Sequence, residues 1–192
     1  NKGGGSIPSI ICGNDDRISA TNAAIGRIIG YNAQGEPVQI GTGFIAQNGK
    51  ILSAQHVYIS NLPRWEIEFN VPNSDPGGNI VHPSPENIYT INTATHYLGG
   101  DDTWIFDVEL NIVTGEHPLK KQGSSLAVVL NGEAGVNSFA TVYGYSTNPG
   151  LESNYTLQRA TGQITWKGSA QYMIEYDTDT EAGASGGPVL VN

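Results

Sequence analysis

Near the end of the chain Ser185 lies in Gly183-Ala184-Ser185-Gly186-Gly187, a setting that can present a hydroxyl as a nucleophile. The glycines remove side chains where a substrate backbone must approach, and they tolerate a strained turn. Such a turn can aim the N–H groups of Gly183 and Ser185 at one point, as stabilisation of an oxyanion requires. Alone, the pentapeptide fits a glycine-rich β-turn equally well. A serine hydroxyl also needs a general base near neutral pH, most often a histidine. Of the four histidines, His82 stands in a proline-rich stretch, His117 precedes Pro118 in a charged turn, and His96 lies outside any clear strand. These three read as solvated. His56 ends the apolar run Ile51-Leu52-Ser53-Ala54-Gln55-His56 beside small residues, so it reads as positioned.

The base in turn needs an ionised carboxylate to hold its tautomer. Asp107 sits inside Thr103-Trp104-Ile105-Phe106-Asp107-Val108. A lone carboxylate in an apolar run is costly unless hydrogen-bonded, which points to a fixed partner. Asp101 and Asp102 follow Gly99-Gly100 in a turn and read as solvent-facing. The expected catalytic set is therefore His56, Asp107 and Ser185, with an oxyanion hole from Gly183 and Ser185.

The elements that would carry these residues are strands. Runs at 37–46, 50–55, 64–71, 88–93, 103–112, 125–130, 138–144, 155–166, 171–176 and 187–191 alternate with turn-forming residues. Asn48-Gly49 predicts a two-residue hairpin turn with both residues at positive φ. No helical periodicity exceeds about two turns, and residues 72–87 read as a proline- and glycine-rich surface loop. Such spacing predicts an all-β chain, either a sandwich or a pair of barrels.

Composition agrees. Charged residues make up 14% of the 192, while Gly (25) and Pro (10) are plentiful. The net charge of −9 argues against nucleic acid or an anionic membrane as partner. No stretch approaches the ~20 apolar residues of a membrane span. The single cysteine, Cys12, excludes an internal disulfide framework and a multi-cysteine zinc site. No metal site or cofactor is expected. Asn154-Tyr155-Thr156 is an N-glycosylation sequon, relevant only in a eukaryotic source.

Taken together, "SAQHV", "FDVEL" and "GASGGPV" resemble the histidine, aspartate and serine boxes of the chymotrypsin-fold serine peptidases. "IICGNDDR" and the run from "ATGQITWKG" to the serine resemble the bacterial glutamyl endopeptidase branch. The resemblance spans residues 10–192 and implies two six-stranded-type antiparallel β-barrels. On that reading 1–9 is a flexible leader or pro-segment remnant, 10–115 a first barrel with His56 and Asp107, and 116–192 a second barrel with Ser185. It further implies a secreted endopeptidase acting on peptides, and a second barrel still incomplete at Asn192, with a further segment expected to complete it. Departures are Gln55 before the histidine, Glu109 after the aspartate, Ala184 where many animal members carry aspartate, and Gly187 where the branch often has serine.

Specificity stays open between two neighbours. Asp179 occupies the place of a trypsin-like pocket-floor aspartate and implies Arg or Lys at P1. Thr180 matches a threonine that contacts an acidic P1 in the glutamyl branch. The wider likeness favours Glu or Asp at P1. A non-catalytic binding module on the same scaffold, and an unrelated carbohydrate-binding sandwich, are the competing readings.

Overall fold

In β7 (Thr103–Val108) Trp104, Phe106 and Val108 are buried while Ile105 and Asp107 are less so, the two-residue rhythm of a strand with one face on a core. The computed structural model describes residues 14–128, 135–167 and 174–191. The leader 1–9, Cys12, residues 129–130 of one expected strand and 171–173 of another lie outside the described residues.

Six strands close into an antiparallel barrel. They are β2 (Ile25–Tyr31), β3 (Pro37–Ile45), β4 (Ile51–Ala54), β5 (Arg64–Glu68), β6 (Ile88–Gly99) and β7, in the order β2-β3-β4-β7-β6-β5. Closure leaves no unpaired edge. Its interior is filled by Ile28, Ile51, Trp65, Ile67, Trp104 and Phe106 among others. The second half is built on β8 (Phe139–Ser146) and β9 (Thr156–Lys167), in a sheet ordered β1-β9-β8-β11, with β1 (Ile18–Ser19) and β11 (Val189–Val191) flanking them. β10 (Ile174–Tyr176) also pairs with β9. Among the described residues this second sheet is not closed. The helix α1 (Pro118–Gln122) is a single short turn in the connection between the halves.

The all-β class and its strands agree with the sequence reading except at particular points. β2 was not anticipated. It is buried along its whole length, so it shows no alternation, and Gly26, Arg27 and Gly30 interrupt its apolar run. Of the expected strand at 125–130, the described residues 125–128 form only an isolated parallel bridge between Leu126 and Ala46. The hairpin at Asn48-Gly49 is a three-residue connection. The N–H of Ala46 donates to Lys50 O, and Gly49 alone adopts positive φ (85°) while the Asn48 side chain accepts from Lys50 N–H. The 72–87 segment is also fastened. Ser74 N–H donates to Glu152 O, and Asn154 Nδ2 donates to Gly78 O at 2.8 Å.

Candidate active site

His56 follows β4 in a short 3-10 turn, Gln55–Val57. The register that pairs Ala54 with Thr103 continues one step further, so Gln55 N–H donates to Asp102 O at 2.8 Å. This brings the Gly99–Asp102 turn to the histidine. One Asp102 carboxylate oxygen accepts from His56 N–H at 2.9 Å, and the other lies 2.7 Å from His56 Nδ1. Both side chains are about half exposed, at 49% and 52%. Asp102 has φ 64°, a left-handed conformation that aspartate tolerates better than most residues.

The expectation for Asp107 is corrected here. Alternation along β7 turns Asp107 away from the barrel core, and its carboxylate pairs with Lys50 Nζ at 2.5 Å. Lys50 stands just before β4, at the end opposite His56. Asp102, read as solvent-facing, is the carboxylate on the histidine. The remaining histidines also have partners. His82 Nδ1 meets Glu68 at 2.5 Å, Trp104 Nε1–H donates to His96 Nδ1 at 3.3 Å, and His117 Nδ1 accepts from Leu119 N–H.

Ser185 and His56 line one cleft of about 350 Å³. The serine turn reaches it through two left-handed glycines, Gly183 (φ 94°) and Gly186 (φ 83°). A Cβ on Gly186 would collide with Ser53 Oγ and Thr42 O, and one on Gly183 with Tyr145 O. Only glycine fits at either place. The carbonyl of Ala182 accepts from Thr147 N–H at 2.8 Å and that of Ala184 from Gly187 N–H at 2.9 Å. Across each trans peptide the following N–H points the opposite way. The N–H groups of Gly183 and Ser185 are therefore directed away from these bonds, and neither meets an acceptor among the described residues.

Thr42, which the sequence reading did not single out, fastens the turn to the barrel. Its N–H donates to Ser185 O at 2.9 Å, and its hydroxyl donates to Gly183 O at 2.8 Å and accepts from Tyr145 N–H at 2.9 Å. It is fully buried. The only cue was its place between Gly41 and Gly43 in β3.

The two specificity candidates sit in a different recess. Asp179 is only 5% exposed and accepts a hydrogen bond from Asp16 N–H at 2.9 Å. Partial desolvation, and next the charge of Asp179, raise the Asp16 carboxyl above its ordinary value. Thr180 lines that recess together with Arg17 and Arg159. The sequon Asn154 is 8% exposed, with its side chain engaged at Gly78 O and Asn148 N–H.

No protein-family model matches the chain, and no curated protein matches it in sequence. Solved structures do match in shape. A thermostable serine protease, AL20, from an extremophilic microorganism superposes with TM-score 0.67 at 13% identity, over 88% of this chain and 79% of that one. The protease Anisep from Arthrobacter nicotinovorans superposes with TM-score 0.64 at 17% identity, over 92% of this chain and 81% of that one. At such identities the likeness concerns the fold: this chain has the chymotrypsin-like fold of those serine proteases.

Proposed function

We propose that the chain is a secreted serine endopeptidase of the chymotrypsin-like class, working through His56, Asp102 and Ser185. The observation that carries the reading is the double acceptance of His56 by Asp102, from its backbone N–H and at Nδ1, beside a cleft that also holds Ser185. With Nδ1 engaged by a carboxylate, Nε2 is the ring nitrogen left to act as base. Ser185 Oγ adds to the scissile carbonyl and its proton passes to His56. Asp102 balances the imidazolium, and the N–H groups of Gly183 and Ser185 hold the negative oxygen. The proton then goes to the departing amine. A water repeats the sequence to release the acid and restore the serine.

For P1 we propose Glu or Asp, as in the glutamyl endopeptidases the sequence resembles. The carboxylate of Asp179 is withdrawn against Asp16, which weakens its use as an open site for a cation. Thr180 shares its recess with Arg159 and with Arg17, itself paired with Asp15 at 2.7 Å, and the charge of Arg159 favours an acidic side chain.

The test is hydrolysis of matched chromogenic peptides ending in Glu, Arg and Leu by the full-length native protein and by Ser185→Ala. The expected result is turnover by the native protein, fastest after Glu, with loss of about 10⁶-fold in kcat in the variant. Preferred cleavage after Arg overturns the P1 assignment, and unchanged turnover in Ser185→Ala overturns the nucleophile.

A further inference from the structure

We infer that the Ser74 hydroxyl heads a chain of hydrogen-bonded peptide groups ending on the Gly183 N–H, which makes Ser74 a positioning residue for the oxyanion hole. The inference rests on the endopeptidase reading and deepens it.

The chain runs through three peptide groups from separate parts of the sequence. Ser74, in the 72–87 segment, is buried and donates through Oγ to Asn154 O at 2.5 Å. The same peptide plane carries the Tyr155 N–H, which donates to Ser146 O at 2.9 Å. That carbonyl shares its plane with the Thr147 N–H, which donates to Ala182 O at 2.8 Å. The Ala182 carbonyl shares its plane with the Gly183 N–H, which meets no acceptor among the described residues. A trans peptide sets its C=O and N–H in opposite directions. Each acceptor therefore faces back towards Ser74, and each donor faces on towards the serine turn.

Two effects pass along such a chain. One is geometric, because a planar peptide cannot turn its carbonyl without turning its N–H. The other is electronic: hydrogen bonds in series polarise one another, so an amide whose oxygen is bonded donates more strongly at its nitrogen. Ser74, Asn154 and Ser146 are all buried, which keeps water from competing for the first links.

The head of the chain is anchored. Ser74 N–H donates to Glu152 O at 2.9 Å. On the other side of the Tyr155 Cα, Tyr155 O accepts from Arg27 Nη1 at 3.0 Å, while Arg27 Nη2 reaches Val81 O at 2.9 Å. Arg27 is fully buried and is fixed in turn by the fully buried Glu68, at 2.6 Å and 3.0 Å. Tyr155 sits at φ 53°, a conformation a bulky residue rarely adopts without such constraints. With both flanking peptides held, its N–H stays on Ser146 O.

The experiment compares the full-length native protein with Ser74→Cys and Ser74→Ala, which replace the hydroxyl by a weaker donor and by none. Cleavage of one chromogenic peptide should fall in that order. In Ser74→Ala kcat should drop by roughly three- to tenfold, a fraction of the about 10²–10³-fold that loss of a whole oxyanion donor costs. KM should stay within about twofold, since the chain acts on the transition state. The Ki of a peptidyl trifluoromethyl ketone, whose serine adduct carries an oxyanion, should rise by the factor that kcat/KM falls. His82→Gln loosens the same segment at Glu68 but leaves the chain untouched, and should keep the native kcat and Ki. Native kcat and Ki in both Ser74 variants overturn the chain. So does a loss that His82→Gln shares, which would mark general loosening of the 72–87 segment. A native protein that neither cleaves the peptide nor forms the ketone adduct overturns the endopeptidase reading and the chain with it.

Discussion

Thr42 and Ser185 are joined backbone to backbone across the two halves of the molecule, Thr42 N–H donating to Ser185 O at 2.9 Å. The Thr42 hydroxyl adds a second tie at Gly183 O. The first left-handed glycine of the turn and Ser185 are thereby fixed to the barrel that carries His56. Thr42→Val keeps the backbone tie but removes the hydroxyl and leaves Tyr145 N–H without its acceptor. A buried unpaired donor costs about 1–3 kcal/mol. Differential scanning calorimetry should show a lower Tm, and kcat should fall by roughly tenfold, since misplacing the oxyanion donors costs transition-state stabilisation. An unchanged kcat would mean that the turn holds its shape without this tie.

Asp102 and Asp107 should behave oppositely. Asp102→Asn offers His56 an amide in place of a carboxylate, and kcat/KM should fall by about 10³–10⁴-fold. Asp107→Asn loses only a partly exposed pair with Lys50, 37% and 45% accessible, worth about 0–1 kcal/mol. Its steady-state kinetics should match the native protein's. The reverse pattern would restore Asp107 as partner of the base.

That Asp102 contacts His56 while Asp107 contacts Lys50 shows where the sequence was legible. The serine turn was readable because Gly183 and Gly186 adopt left-handed φ, a backbone demand that glycine signals locally. His56 was readable from the end of its strand. The choice between Asp102 and Asp107 depended on which face of β7 points where. Counting alternate positions from Trp104 and Phe106 puts Asp107 outside the core, whereas reading the stretch as one apolar run hid it. Asp102 owes its contact with His56 to cross-strand register between β4 and β7, a relationship between distant residues that no local pattern expresses. β2 was missed for a related reason, because a strand buried throughout carries no periodic signal.

The Arg27–Glu68 pair should dominate stability. Both side chains are fully buried, so removing Arg27 leaves the Glu68 carboxylate with only the half-exposed His82 beside it. Arg27→Met should cost about 3–5 kcal/mol in urea unfolding, while Arg27→Met with Glu68→Leu should recover much of that loss. A double variant no more stable than the single one would show that Arg27's bonds to Tyr155 O and Val81 O outweigh its ion pair.

His117 sets an acid limit. Burial holds its imidazole below the ordinary 6.5, with Asp107 opposing and Lys50 reinforcing the shift. Its Nδ1 caps α1 by accepting from Leu119 N–H, which only the unprotonated nitrogen can do. The unfolded chain therefore binds the proton more readily, and stability from this group is present above 6.5 and declines as pH falls through the lowered folded value. Tm measured from pH 7.5 to 5 should drop less steeply in His117→Gln than in the native protein. Parallel curves would remove His117 from the acid response.

The central claim is that Ser185 is a nucleophile activated by His56. A serine-reactive fluorophosphonate tests it most directly, with the modified site located by peptide mass mapping of the full-length native protein. The account predicts one label per chain, on Ser185, falling by more than 100-fold in rate in His56→Ala and absent in Ser185→Ala. A native protein that remains unlabelled, or one labelled as fast without His56, would contradict it.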